Sequence, residues 1–276
     1  MGAFLKFLKK QPLVTAAVAI AVAMAAIKLI PCKEFLQLGI VRMVLCFAML
    51  FFLYLISGEK SMGTSDANNT GTTWYVIKAS LGFWILAVIA GVVAFLGTIE
   101  EFTKGWQINL ITLFVMLLFS GLFEELAFRA VLNDAVIYQF RSSRHVFRIS
   151  AVVTSLVFGA AHVIGSDLST LSAIGQAAMK TLFTGIIGLA FLLLYWKTRN
   201  IWACGLVHGI YDFLASFSRA FSGNTMEVNY VTADMEIGMS FIVTYTVFIL
   251  IVLVITLFIW KKIRKDIDFE KIRETW

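Results

Sequence analysis

Long apolar runs separated by short polar stretches dominate the chain. A transmembrane helix needs about 20 mostly apolar residues. Eight stretches meet that need: 13–30, 35–57, 74–97, 107–137, 148–165, 172–196, 201–218 and 238–260. The runs are continuous rather than alternating, which predicts helices and not the strands of a barrel. The 107–137 run is long enough for a tilted helix that continues into the interface. The pattern predicts an all-α, polytopic membrane helix bundle with eight transmembrane helices, a single integral membrane domain over 1–276 with no soluble domain. Only 58–73, rich in Gly, Ser, Thr and Asn, reads as a flexible loop.

Composition narrows the function classes. The chain is 60% hydrophobic and 14% charged, against about 25% charged in ordinary soluble domains. A soluble enzyme, a disordered regulator and a nucleic-acid module are all disfavoured, and the expected partner is the lipid bilayer. Cys32, Cys46 and Cys204 are odd in number, and two of them sit in apolar runs, so they read as packing residues rather than a disulfide framework.

Charge sets an expected orientation. With Lys6, Lys9 and Lys10 in the cytoplasm, eight spans return the C-terminus to the same side. The cytoplasmic segments then hold fifteen Lys and Arg, and the outer loops hold three (Lys33, Lys104 and Arg219). That asymmetry obeys the positive-inside rule. The tail 261–276 reads as a basic cytoplasmic anchor to anionic lipid. The first run has the basic start of a signal peptide. Its 18 residues, Lys28 near its end and the Leu-Ile-Pro-Cys sequence at Cys32 favour a retained span.

Against this background the ionisable residues inside apolar runs stand out. The acids are Glu124, Glu125, Asp134 and Asp212, and His162 and His208 join them. Ionisable groups at bilayer depth are costly unless they face protein or water, so these imply a shared polar interior. Glu125 and Arg129 are four apart on a helix, in the favourable order for an ion pair. Glu124 points about 100° away from Glu125 and has no such obvious partner. A general base and a buried packing pair are equally good readings of this cluster alone. Phe158 and His162 share a face, with small Gly159, Ala160 and Ala161 between them that permit close helix approach. His208 and Asp212 also share a face, where a carboxylate can orient an imidazole. Taken singly, His162 reads more readily as an interhelical hydrogen-bond partner than as a catalyst, and the His208–Asp212 pair reads equally as an interhelical polar clasp.

Depth connects the three. Glu124 and His162 each lie 14 residues from the expected cytoplasmic ends of their helices, at Tyr138 and Arg148, or about 21 Å along. His208 lies eight residues beyond Asn200. All three are expected to line one cavity opening toward the cytoplasm. Asp134, near the end of its helix, has no role in this pattern.

Glu-Glu-x-x-x-Arg, Phe-x-x-x-His and His-x-x-x-Asn/Asp on successive helices resemble the CPBP intramembrane proteases. That family comprises the type II CAAX prenyl endopeptidases and the bacterial Abi, or bacteriocin-processing, proteins. Glu124-Glu125-Leu-Ala-Phe128-Arg129 carries the first motif, Phe158-Gly-Ala-Ala-His162 the second and His208-Gly-Ile-Tyr-Asp212 the third. Thr184-Gly185-Ile-Ile-Gly188 and the turn around Arg199-Asn200 resemble the family's Gly-rich sixth helix and the turn after it. The resemblance lies within core helices at 107–218. One departure is Asp212, where many members have Asn. An ionised Asp cannot donate a hydrogen bond to an oxyanion as an amide does.

The resemblance implies a multi-pass endopeptidase in the cell membrane, with catalytic residues Glu124, Glu125, Arg129, His162, His208 and Asp212. Its substrates would be membrane-associated peptides or proteins, processed as CAAX termini or as bacteriocin-type peptides. The compact loops suggest a bacterial plasma membrane. Glu124 with His162 would activate water, and His208 would stabilise the oxyanion. The same resemblance allows a zinc site in which Glu124, His162 and His208 are the ligands. A non-catalytic membrane scaffold of the same fold is the alternative reading. A proton-coupled transporter is disfavoured, because the chain shows no internal repeat and no proline in mid-span.

Overall fold

The computed structural model describes residues 6–8, 10–57, 72–98, 102–226 and 229–274. Most of the expected 58–73 loop lies outside the described residues. Among the described residues there is no strand, only an isolated bridge between Glu34 and Thr225. The principal helices are α1 (Pro12–Leu29), α2 (Phe35–Ser57), α3 (Thr72–Ala79), α4 (Leu81–Leu96) and α5 (Trp106–Glu125). A π-helical segment, Leu126–Leu132, joins α5 to α6 (Asn133–Gln139). Next come α7 (Val146–Ala161), α8 (Leu171–Thr198), α9 (Ile201–Ser216), α10 (Arg219–Ser222), α11 (Met235–Ile263) and α12 (Phe269–Glu274).

All eight apolar stretches are helical, but they are not alike. Among the described residues, five helices are long and apolar enough to cross a membrane: α1, α2, the continuous α5–α6 rod, α8 and α11. The pair α3–α4 makes a sixth if it counts as one span, bent by 63°. The bend falls at Ser80, whose hydroxyl donates to Val76 O at 2.8 Å, a local bond that competes with the straight helical ladder. Helices α7 and α9 have 16 residues each, about 24 Å at 1.5 Å per residue, shorter than a full crossing.

The ends of the long helices reflect their sequences. Thr170 caps α8 by accepting from Ala173 N at 3.1 Å, and Asn200 caps α9 by accepting from Ala203 N at 3.0 Å. Arg199 closes α8 in the left-handed region, with φ of 49°. The chain therefore turns from α8 to α9 within two residues and runs back antiparallel beside it. Asp234 caps α11 by accepting from Ile237 N at 2.9 Å.

The α5–α6 rod lies at the centre. Helices α2 and α9 pack along α5, α7 and α11 pack on α8, and α4 packs on α9. Every residue from Glu125 to Ile137 is buried. Helix α11 by contrast presents Val243, Val247, Leu250, Val254 and Phe258 outward, an apolar face suited to lipid.

Candidate active site

Small residues bring the motif-bearing helices together. Gly205 and Gly209 are four apart on one face of α9, on either side of His208. A Cβ on Gly209 would stand 2.6 Å from Leu118 Cα, and one on Gly121 of α5 would fall onto the backbone nitrogen of Gly209. Only glycine lets these two backbones approach so closely. The approach places the His208 ring against the end of α5. Gly159 does the same for α7, where a Cβ would strike the Thr181 carbonyl of α8. The expected close approach at Gly159 is thus present.

His208 is held on three sides. Its Nδ1 lies 2.8 Å from Glu125 Oε1, so Nδ1–H donates to the carboxylate. The Phe191 ring of α8 stacks on the imidazole, with centroids 4.7 Å apart and planes 18° from parallel. Nε2 faces the other two acids, 3.7 Å from Glu124 Oε2 and 3.6 Å from Asp212 Oδ2. Glu125 is fully buried, while the side chains of Glu124 and Asp212 keep 19% and 28% of their surface. The first carboxylate is closed off from any ligand, and the other two are partly accessible.

Arg129 holds Glu125 from the other side, with Nε 3.3 Å from Oε2. The sequence predicts an α-helix through this pair, and the structure has π-helix over Leu126–Leu132. The pair survives the change. Short π segments occur frequently at functional sites because they re-aim side chains. Arg129 Nη2 also donates to Gly188 O at 3.2 Å, and its guanidinium lies 4.1 Å above the Phe158 ring. Gly188 makes room for both, since a Cβ there would sit 2.6 Å from Phe158 Cδ1 and 3.2 Å from Arg129 Nη2. The second motif's phenylalanine therefore touches the first motif's arginine.

His162 is placed differently from expectation. Helix α7 ends at Ala161, so His162 caps it rather than lying inside a span reaching 165. The chain tightens there, with Val163 N bonded to Ala160 O at 3.1 Å, and Gly165 then takes a positive φ of 82°. Nδ1–H donates to Phe158 O at 2.9 Å, which leaves Nε2 with a free lone pair. The ring meets Phe158 edge-on, with centroids 4.8 Å apart. Phe158 also lies 6.2 Å from the His208 ring, so it stands between the two histidines' helices.

The structure adds three contributors that the motif pattern passed over, Phe191, Lys180 and Arg42, and gives Gly188 of the expected Gly-rich helix a partner. Phe191 stacks on His208, and Gly188 accepts from Arg129. Lys180 of α8 is buried, with its ammonium 3.8 Å over the Tyr230 ring. Burial pushes the Tyr230 phenol up, so it stays a neutral ring. Arg42 of α2 lies 5.3 Å over the ring of Phe123, the residue next to Glu124 in sequence. Both cations sit inside apolar runs, so the criterion that selected the acids selects them too once it is applied to Lys and Arg.

Asp134 belongs to a separate network. Arg199 Nη1 and Nη2 donate to its two oxygens at 3.0 Å each, and Tyr195 Oη donates at 3.2 Å. Asn133 donates to Asp134 at 2.7 Å and accepts from Ser150 Oγ and Trp196 Nε1 at 2.7 and 2.9 Å. This clasp ties α6, α7 and α8 at the end of the bundle that carries the 139–146 and 198–201 turns. The clasp and the buried 125–137 segment occupy that end of the bundle.

Of the candidate zinc set Glu124, His162 and His208, His208 keeps Nδ1 bonded to Glu125 and turns Nε2 toward Glu124. Among the described residues no group of three or more His, Cys, Asp or Glu is disposed to hold a metal ion.

Residues 105–214 match the family model of the type II CAAX prenyl endopeptidase Rce1-like proteins. No curated protein and no solved structure matches the chain. The matched stretch contains all three motifs, and it bears out the resemblance to the CAAX-protease family.

Proposed function

We propose, with an Rce1-like core over residues 105–214 as the premise, that this protein is an intramembrane endopeptidase working through Glu124 and His208. The observation that carries the reading is the setting of His208. One nitrogen is anchored to buried Glu125, while the other faces the partly exposed Glu124 and Asp212. An orienting carboxylate behind an imidazole, with a second carboxylate in front, suits acid–base chemistry on a bound peptide.

Glu124 takes a proton from a water that its carboxylate and His162 Nε2 hold between them. The water oxygen attacks the scissile carbonyl carbon, and the carbonyl oxygen becomes an oxyanion. His208, protonated at Nε2 and held by Glu125, donates a hydrogen bond to that oxyanion. Glu124 then returns its proton to the leaving amine as the C–N bond breaks, giving a new carboxyl and a new amino terminus. Arg129 keeps Glu125 in register and does not touch the substrate. Asp212 orients His208 from the side of Nε2. The substrates are membrane-associated peptides or proteins.

The test compares membrane peptides in cells carrying the wild-type chain with those carrying Glu124→Ala or His208→Ala. The expected result is accumulation of an uncleaved membrane peptide in both variants, with normal insertion of the variant protein. Unchanged cleavage in either variant overturns the mechanism. An unchanged cellular phenotype in Glu124→Ala favours the scaffold reading.

A further inference from the structure

The two histidines of the site are held unequally. His208 has a carboxylate on one nitrogen and a stacked ring on its face. His162 lies just past the end of α7, in a turn that Gly165 continues with a positive φ. Among the described residues its ring bonds only to Phe158 O, one turn back on the same helix. Helix ends fray, and a working side chain needs neighbours that fix its orientation.

A second support comes from the segment before α11. Residues 229–234 form neither helix nor strand, yet they are tied to α8 and α11. Gln176 of α8 is fully buried and bonds both backbone groups of one residue. Its Nε2 donates to Thr232 O at 3.0 Å, and its Oε1 accepts from Thr232 N at 2.9 Å. That double exchange is the pairing a neighbouring strand would supply, here made by a side chain. Gly238 leaves room for it, since a Cβ there would fall on the Gln176 amide nitrogen. Tyr245 Oη of α11 donates to Tyr230 O at 3.2 Å. Earlier in the chain, Phe35 N donates to Asn224 O at 2.8 Å and Met226 N donates to Lys33 O at 2.9 Å, which fixes residues 224–226 to the turn between α1 and α2.

The strap at 229–234 carries the Tyr230 ring to the site. The Lys180 ammonium lies 3.8 Å over that ring, a cation–π contact that pins it to α8. The Tyr230 and His162 rings have centroids 6.5 Å apart and planes 57° from parallel, a separation at which aromatic pairs interact. Phe158, the other ring beside His162, belongs to the same helix end. Tyr230 reaches the imidazole from a different part of the fold.

We infer that Tyr230 is a positioning residue of the site: the 229–234 strap, latched by Gln176 and Lys180, holds the Tyr230 ring against His162 and keeps that imidazole in one orientation. The role belongs to the ring and not to the phenol hydroxyl. The catalytic consequence rests on the proposed protease function; the placement of His162 does not.

The chain contains three histidines, which permits a test without substrate. Diethyl pyrocarbonate acylates an accessible neutral imidazole nitrogen, and mass spectrometry reads each histidine separately in the purified full-length chain. His145 is exposed and serves as the reference, while buried His208 should stay unmodified. In Tyr230→Ala and in Gln176→Leu, the rate at His162 relative to His145 is expected to rise about two- to tenfold, the factor that one ring pair contributes to a local closed state. Tyr230→Phe is expected to react like the wild type. An unchanged His162 rate in Tyr230→Ala overturns the placement, and one in Gln176→Leu alone overturns the latch. An equal rise at His208 marks general loosening and also overturns the placement. The second measurement is cleavage of the peptide that accumulates in Glu124→Ala cells. Tyr230→Ala is expected to lower kcat about 10- to 100-fold with KM within about twofold, the pattern of a misplaced working group, and Tyr230→Phe restores the rate. Faster modification of His162 with unchanged cleavage overturns the catalytic role and leaves a structural strap. Full activity of Glu124→Ala would instead refute the protease reading, and the modification rates would still decide the placement of His162.

Discussion

His208 Nδ1 donates to Glu125 Oε1 at 2.8 Å, across 83 residues of sequence. This bond joins the first and third motifs, and Arg129 extends it to α8 through Gly188. Glu125 is thus the hub of the site although no substrate can reach it. In Glu125→Gln the amide keeps the shape but presents a weaker acceptor to both His208 and Arg129. Cleavage should fall about 10- to 100-fold, as for other residues that orient a working imidazole. Glu125→Ala should also destabilise the bundle by about 3–5 kcal/mol, because Arg129 is left buried and unpaired. Initial rates and melting curves on the two variants separate these effects.

Glu124 presents the opposite case. It is partly exposed and lies 3.7 Å from His208 Nε2, beyond hydrogen-bond length. Glu124→Gln should therefore reduce cleavage by about 10²- to 10⁴-fold, the range for loss of a general base. Its melting temperature should stay near that of the wild type. A folded, inactive Glu124→Gln protein in size-exclusion and cleavage assays is the expected result.

The Asp134 clasp should be separable from the chemistry. Arg199→Ala removes both hydrogen bonds to a fully buried carboxylate. The loss should be about 3–5 kcal/mol of stability, read as a lower melting point. The fraction that remains folded should cleave at the wild-type specific rate. A loss of rate at full folding would mean that the clasp also shapes the site.

The contact between α5 and α9 leaves no space for a side chain. Gly209→Ala would place a methyl group 2.6 Å from Leu118 Cα. Overpacking of this kind costs about 1–3 kcal/mol. It should also move His208 away from Glu125, so cleavage should fall more steeply than stability. Gly175→Ala, where the nearest atom would be 3.4 Å away, serves as the tolerant control on α8.

Metal dependence gives a direct test of the chemistry. If Glu124 activates the water directly, as proposed, cleavage should persist after dialysis against a chelator. Metal bound to the purified protein should be well below one ion per chain. Near-stoichiometric zinc that disappears in His162→Ala would instead establish the metal reading.

Amino-acid order alone dictated the helices, because continuous apolar runs leave no other way to satisfy backbone groups in lipid. It also singled out Glu124, Glu125, Arg129, His162, His208 and Asp212, because ionisable residues are conspicuous in such runs. It could not decide which groups pair. The i,i+4 spacing pointed Glu125 to Arg129, and that ion pair exists. But the bond to His208 depends on how closely α9 approaches α5, which Gly121, Gly205 and Gly209 set through backbone contact. Helix length was only partly legible, since the apolar pattern does not mark the tightening after Ala161 that makes His162 a cap. The π segment at Leu126–Leu132 was likewise hidden, because π and α segments share the same apolar composition. Asp134 and Lys180 were visible as charges, but the cation that holds Asp134 lies 65 residues away, and the rings around Lys180 include Tyr245 of α11 and Tyr230 in the loop before it. Only the packing of the helices could assign the first to a closed structural clasp and surround the second with aromatic rings.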